Sequence, residues 1–250
     1  MSAVLRTVGL SKTFGGFKAN ADVSLSFAPG ARHALIGPNG AGKTTFINLL
    51  TGVLPPTSGE VYLGDEQITK LPQHVRVKRG MTRTFQINTL FPGLTALESM
   101  VLACCEHDGR GGVWWRAASS ERTAIDAATA ILAQLKLDRD AATLTRELPY
   151  GKQRLLEIAL ALATRPKVLL LDEPAAGIPS AESAELFAVI ANLPREVTIV
   201  FIEHDMDLVF KFAQRITVMV GGTVLVEGTP DEIAGDRRVR EVYLGEAEHA

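Results

Sequence analysis

Short apolar runs rich in β-branched residues alternate with turns along the first third of the chain, which predicts strands. These runs cover residues 4–10, 23–27, 33–36 and 61–63. Between them, residues 42–51 carry apolar side chains at helical spacing, and Gly52 followed by Pro55 and Pro56 ends that run. The opening third is therefore predicted to be mostly strands, with one helix following the third of them.

The pattern becomes helical from about residue 94 to 163, with a glycine-rich loop at residues 109–112. Two apolar runs follow at 168–171 and 197–202, separated by an Ala- and Glu-rich helix at 180–192, which indicates a parallel βαβ unit. Residues 216–220 and 223–227 then predict a hairpin across Gly221 and Gly222, before a short helical tail. The expected fold is α/β, with residues 87–163 inserted as a helical subdomain and residues 1–86 and 164–250 forming the rest of one domain.

The composition narrows the class of protein. The 250 residues are 46% hydrophobic and 22% charged, with a net charge of −2, so no bulk electrostatic attraction to nucleic acid or to an anionic membrane is expected. No run approaches the roughly 20 apolar residues of a membrane span, and the start of the chain lacks a signal-peptide core. With Cys104 and Cys105 as its two cysteines, the chain is expected to work in a reducing compartment.

A phosphate-binding loop follows the predicted strand 33–36. Residues 37–44 read Gly-Pro-Asn-Gly-Ala-Gly-Lys-Thr and open a helix, which is the setting of a Walker A motif. Its glycines let several N–H groups converge on one anion, and the helix adds its positive dipole end. Lys43 is then expected to supply a charge for the β- and γ-phosphates, and the Thr44 hydroxyl to ligate magnesium.

Two carboxylates, Asp172 and Glu173, end the apolar run 168–171. An acid-capped strand on its own is common, but beside a phosphate loop it is typical of a Walker B motif. Asp172 is then expected to reach the magnesium ion, and Glu173 to act as general base on the attacking water.

Three further segments are ambiguous when taken singly. Gln86 follows a short β-like run and would usually be a solvated polar residue, and the glycine at 151 could be a plain helix cap. His204 follows the strand 197–202 and would more often be structural. Its place beyond a strand parallel to the one carrying Asp172 favours a role at the γ-phosphate and the attacking water.

Together these motifs resemble the ATP-binding subunit of ABC transporters along essentially the whole chain. The set comprises Walker A at 37–45, the Q-loop at Gln86, the signature at 148–152, Walker B ending at Glu173, and the switch histidine His204. The family's fold is a P-loop NTPase (RecA-like) core with an antiparallel β subdomain and a helical subdomain. Residues 83–86, 151–159, 174–177, 202–206 and 242–245 are similar to subunits of branched-chain amino acid importers.

The resemblance implies ATP and Mg²⁺ as cofactors and assigns the site residues. Catalysis is assigned to Lys43, Gln86, Glu173 and His204, and magnesium binding to Thr44, Gln86 and Asp172. Adenine stacking falls to Phe14, with Phe17 as a rival. Phosphate binding falls to Gly37, Asn39, Gly40, Ala41, Gly42, Lys43, Thr44 and Thr45, and the partner's ATP is contacted by Pro149, Tyr150 and Gly151.

The family works as a head-to-tail pair with ATP between the Walker A of one subunit and the signature of the other. Here Pro149 and Tyr150 replace the usual Ser and first Gly of the signature, which removes a hydroxyl donor and an N–H. We therefore expect a different ATP-binding subunit as partner, together with two membrane permease subunits, a periplasmic substrate-binding protein acting indirectly, and no nucleic acid. The expected location is peripheral, on the cytoplasmic face of the inner membrane.

Residues 87–100 are where the resemblance places contact with a permease subunit, with Phe91, Leu94 and Leu97 as candidates. Trp114 and Trp115 form a second candidate surface, although a buried pair explains them equally well.

Two other functions compete with the transport motor. A soluble ABC ATPase acting on DNA or ribosomes would need a long coiled coil or a second cassette, for which the chain is too short; an iron–sulfur assembly ATPase is harder to exclude. A kinase or GTPase leaves His204 and the signature segment unexplained. Urea, amides, aromatic acids or lipid are open alternatives to branched-chain amino acids as the cargo.

Overall fold

The computed structural model describes residues 3–84, 90–108 and 122–247, which form two sheets and nine α-helices. The strands are β1 (Leu5–Phe14), β2 (Phe17–Val23), β3 (Ser26–Phe27), β4 (Arg32–Ile36), β5 (Ser58–Leu63), β6 (Glu66–Gln67), β7 (Met81–Arg83), β8 (Val168–Asp172), β9 (Thr198–Ile202), β10 (Arg215–Val220) and β11 (Thr223–Gly228). The helices are α1 (Lys43–Thr51), α2 (Gln73–Arg79), α3 (Ala96–His107), α4 (Arg122–Gln134), α5 (Tyr150–Ala163), α6 (Ser180–Ala191), α7 (Met206–Phe212), α8 (Pro230–Gly235) and α9 (Arg237–Ala247).

The central sheet has the order β11-β10-β4-β9-β8-β7, and all its neighbours pair in parallel except β10 and β11. Every residue of β4, β8 and β9 is buried. Alternate side chains face two separate cores, so that Leu169 and Leu171 pack toward the helices, whereas Val168 and Leu170 pack toward α1 and the second sheet. This two-sided burial explains why these strands are continuous apolar runs.

Sheet register brings three loops to one edge. Within the central sheet β9 lies between β4 and β8, and Ile202 pairs with Leu35 on one side and with Asp172 on the other. The carboxyl ends of these strands therefore lie side by side, which is where parallel α/β sheets bind ligands.

The second sheet is antiparallel, with the order β2-β1-β5-β6 and β3 paired to β1. One sequence prediction was wrong here. The run 23–27 was expected to be one strand, but β2 ends at Val23 and only Ser26 and Phe27 continue as a short strand. The strand before Val23 was missed because much of it is polar and exposed, as befits the edge of this sheet.

His33 on β4 is a buried titratable residue with a consequence for stability. It is 1% exposed, and its Nε2 lies 2.7 Å from the Thr217 hydroxyl. Burial lowers the pKa of His33 to about 4, with Glu227 opposing and Arg215 adding to this effect. Because the unfolded state binds the proton more tightly, the free energy of unfolding should fall as the pH drops from about 6.5 to 4, by roughly 2 to 3 kcal/mol.

The His33 contribution can be separated from that of other groups. Burial raises the pKa of Glu203 and of Glu157, so those carboxyls stabilise the folded protein at low pH and oppose the histidine. Urea unfolding of wild type and His33→Gln at several pH values gives the difference directly. Parallel pH slopes for the two proteins would contradict a buried neutral His33.

Candidate active site

The phosphate loop is walled by backbone on one side. Gly42 has a φ of 92°, and a Cβ there would lie 2.4 Å from the Ala19 carbonyl oxygen. Gly222, in the β10–β11 turn, has a φ of 81°, and its Cβ would lie 2.6 Å from the same oxygen. The Gly222 N–H donates to the Ala41 carbonyl at 3.1 Å. Strand β2 and this turn therefore fix the loop where it enters α1.

The first turn of α1 lines a cleft of about 240 Å³. Its N-cap residue, Gly42, makes no side-chain cap hydrogen bond, and the positive end of the helix dipole here is a favourable place for an anion. Lys43 is 6% exposed, and its Nζ donates to the carbonyls of Gly37 and Pro38. The residues lining the cleft are Phe17, Ala19, Asn39, Gly40, Ala41, Gly42, Lys43, Thr44, Thr45, Glu173 and His204.

Of the two phenylalanine candidates, Phe17 lines this cleft. Phe14 and Phe17 pair at the end of the β1–β2 hairpin, and both are exposed, by 47% and 65%. Phe14 lies outside the lining of the cleft, with the Lys12 ammonium 5.1 Å from its ring centroid. The resemblance assigns this role to Phe14 with Phe17 as its rival, but the geometry favours Phe17 for contact with a base.

Asp172 and Glu173 leave the end of β8 in different directions. Asp172 is 5% exposed, and its Oδ2 accepts a short ion-pair contact from Arg83. Arg83 also donates to Asn48 Oδ1 on α1 at 2.6 Å, which ties β8, β7 and the phosphate-loop helix together. Glu173 has a left-handed backbone (φ 48°) that turns its side chain into the cleft.

Glu173 and His204 are hydrogen-bonding neighbours in the lining of the cleft. Glu173 Oε1 and His204 Nε2 are 3.0 Å apart, which is hydrogen-bonding distance, and a carboxylate oxygen accepts from the ring N–H when Nε2 carries the proton. Glu203, buried to 6% exposure, accepts from the N–H groups of Ala175 and His204 at 2.9 and 3.2 Å. This carboxylate therefore holds the loop after Glu173 beside the loop of the histidine.

The donor set beside the phosphate loop suits magnesium. The Thr44 hydroxyl and the Asp172 carboxylate are hard oxygen donors of the kind that Mg²⁺ prefers. Thr44 lines the cleft, and the Asp172 carboxylate is linked to α1 by Arg83 and Asn48. These two side chains are the described candidates for holding the ion.

The signature segment lies apart from the phosphate loop. Pro149 is the N-cap of α5, and Gln153 Nε2 donates to the Leu148 carbonyl at 2.9 Å. Pro149 and Gly151 line a separate groove between α5 and α6, and no residue from 148 to 152 is among the described residues lining the cleft. Within one chain the two halves of the expected ATP sandwich are thus separate.

Several predicted residues lie outside the described part of the chain, namely Gln86, Trp114 and Trp115. Of the candidates for permease contact, Phe91 is 61% exposed, whereas Leu97 packs against the helical core. Sequence reasoning missed Arg83 and Glu203 as site residues. Their nearness in the chain to Gln86 and His204 was the one available signal.

Comparison with known families decides the identity. The family model described as ABC transporter matches residues 21–176. The chain belongs to the ABC transporter family. A second model, Branched-chain amino acid ATP-binding cassette transporter, matches residues 223–249.

Relatives of this ABC transporter chain align with it over most or nearly all of its length. The high-affinity branched-chain amino acid transport ATP-binding protein BraF of Pseudomonas aeruginosa is 41% identical, covering 98% of each chain. A solved structure of an ATP-binding cassette of an ABC transporter in its ADP conformation is 32% identical to this chain in sequence. The two superpose with a TM-score of 0.86 over 98% of this chain and 100% of that one. A dimeric post-hydrolysis cassette bound to ADP and Pi is 27% identical with a TM-score of 0.73, covering 90% and 98%.

These matches confirm the predicted family, the α/β P-loop fold and the class of enzyme, an ATPase. A nucleotide cofactor is confirmed as well. Among the residues that the structure describes, no helix combines the length and the apolar character needed to cross a bilayer.

Proposed function

We propose that this chain is the ATP-hydrolysing subunit of an importer of branched-chain or other hydrophobic amino acids. The observation that carries the chemistry is the Glu173–His204 pair, 3.0 Å apart, opening onto the cleft of the phosphate loop. The relative named as a branched-chain amino acid transport protein and the matching C-terminal model support the cargo.

In this proposal the groups in and beside the cleft have separate tasks. The α1 amides and Lys43 bind the phosphates, and Phe17 contacts the base. Glu173 takes a proton from the attacking water. The ring of His204 orients the Glu173 carboxylate and donates to the γ-phosphate. Thr44 and Asp172, with Gln86 by resemblance, hold Mg²⁺, which neutralises charge on the β- and γ-phosphates when bound.

Lys43→Ala tests the nucleotide site. Loss of a charged hydrogen bond to phosphate is worth about 1.5 to 3 kcal/mol, so the affinity for ATP should fall roughly 10- to 150-fold. Titration of the purified protein with a fluorescent ATP analogue measures this change. Lys70→Ala, a lysine outside the cleft, is the control. An affinity unchanged by Lys43→Ala would place the nucleotide elsewhere.

We further propose two permease subunits as partners, a periplasmic binding protein acting through them, and the cytoplasmic membrane face as location. The second ATP-binding subunit is a different chain whose intact signature covers Lys43 and Glu173 here, because Pro149 and Tyr150 weaken this chain's own signature. ATPase assays on the two subunits alone and mixed should show activity mainly in the mixture. Full activity from the single chain would refute the heterodimer.

The alternative to a transport subunit is a soluble ATPase of iron–sulfur assembly. Affinity purification of the tagged chain from its own cells should recover membrane permease subunits. Recovery of assembly scaffold proteins in their place would overturn the transport proposal.

A further inference from the structure

Tyr150, the first residue of the signature helix α5, contacts the loop that follows Glu173. Its hydroxyl donates to the Ala176 carbonyl at 3.3 Å and accepts from the Arg154 guanidinium at 2.8 Å. Tyr150 is 40% exposed, so burial alone does not fix the orientation of its ring. These two hydrogen bonds set where the hydroxyl lies.

A buried ion pair forms the base of this arrangement. Arg154 and Glu157 lie one turn apart on α5, at 2.9 Å, with side chains 8% exposed. The Arg154 guanidinium also lies 5.2 Å from the centroid of the Tyr150 ring. Because Glu157 fixes the guanidinium, Arg154 offers the tyrosine hydroxyl a donor in one place.

The loop itself passes the contact on to Glu173. The Ala176 N–H donates to the Glu173 carbonyl at 3.0 Å, closing a turn around the residue with the left-handed backbone. On the other side, the Ala175 N–H is held by the Glu203 carboxylate at 2.9 Å. The loop is thus held between α5 and the end of β9, and the Tyr150 hydroxyl is one of its attachments to the helical side, beside the packing of Ala175 and Ile178 on the helical core.

We propose that Tyr150 is a positioning residue for Glu173: through the Ala176 carbonyl it fixes the loop that keeps the Glu173 carboxylate in the cleft. The orientation of the signature helix and the placement of the general base are then linked within one chain. Tyr150, which replaces a glycine of the signature, then has a role within its own subunit. This inference rests on the proposed function only in assigning Glu173 as the base.

Tyr150→Phe removes the hydroxyl and keeps the ring. In the assembled ATPase complex, kcat should fall about 2- to 10-fold, the loss expected for one hydrogen bond, with the KM for ATP changed by less than about twofold. Hydrogen exchange should become faster at the amides of Ala175 and Ala176, while the melting temperature stays within about 2 °C. Local exchange is a readout that a general loss of stability would not single out.

Tyr62→Phe is the matched control. It removes a hydroxyl that donates to Glu60 at 2.6 Å in the antiparallel sheet, outside the lining of the cleft, and it should change neither kcat nor exchange at Ala176. Normal kcat and normal exchange in Tyr150→Phe would overturn the inference. So would a loss of ATP-dependent subunit association in Glu173→Gln/Tyr150→Phe relative to Glu173→Gln, since the tyrosine would then act between chains. An inactive wild-type complex would instead contradict the proposed function.

Discussion

Replacing Glu173 by Gln is expected to leave ATP bound and hydrolysis almost stopped. The amide keeps the size and the hydrogen-bonding reach of the carboxylate, so contact with His204 at 3.0 Å can persist. It cannot accept a proton from water, and general-base catalysis is typically worth about 10²- to 10⁴-fold. We expect kcat to fall by that factor, with ATP affinity unchanged or higher, measured by phosphate release and by nucleotide titration of the assembled complex.

Glu196→Gln is the control for this experiment, because that glutamate is exposed in the loop before β9, at the opposite end of the sheet. It should hydrolyse ATP at the wild-type rate. Turnover of Glu173→Gln at a normal rate would remove Glu173 from the mechanism and leave its left-handed backbone without a catalytic reason.

Arg76→Met is expected to have the largest effect on stability. The Arg76 side chain is 2% exposed, and it donates to four backbone carbonyls: those of Leu49 and Leu50 at the end of α1, and those of Thr69 and Leu71. Burial lowers its pKa to about 10, which still leaves it charged at neutral pH. A cation at this end of the phosphate-loop helix also complements the helix dipole.

Methionine satisfies none of these carbonyls, so the free energy of unfolding should fall by about 4 kcal/mol, and the melting temperature by about 8 to 16 °C. Arg79→Met, three residues on, is the matched control. Arg79 forms an exposed ion pair with Glu66 at 3.0 Å, which should be worth less than about 1 kcal/mol. Equal losses in the two variants, measured by calorimetry, would show that the carbonyl contacts of Arg76 contribute little.

The phosphate loop and the buried strands could be predicted because their chemistry is local. Gly42 and Lys43 need only a strand before them and a helix after them, and the apolar run ending at Asp172 is visible in any window of the sequence. The hairpin around Gly222 was equally local, and its predicted strands are present as β10 and β11.

Other features depend on residues distant in the chain. Arg83 pairs with Asp172, which lies 89 positions further along the chain, and the local sequence around either residue does not predict that contact. Arg76 resembles an ordinary helical arginine until α1 is folded against it. The choice of Phe17 over Phe14 for the cleft depends on how the β1–β2 hairpin end lies beside the phosphate loop, which neither residue's spacing from Gly37 determines.

The β10–β11 turn has a practical meaning for anyone who labels or tags this protein. Two consecutive glycines between strands look like a harmless place for an inserted peptide or a dye-bearing cysteine. Gly221 has open space around it but a φ of 54°, which disfavours any side chain, and the neighbouring Gly222 abuts Ala19 and donates to the Ala41 carbonyl. A cysteine at the first position would therefore strain the turn, whereas one at the second would also collide with strand β2 and deform the pocket that the probe was meant to observe.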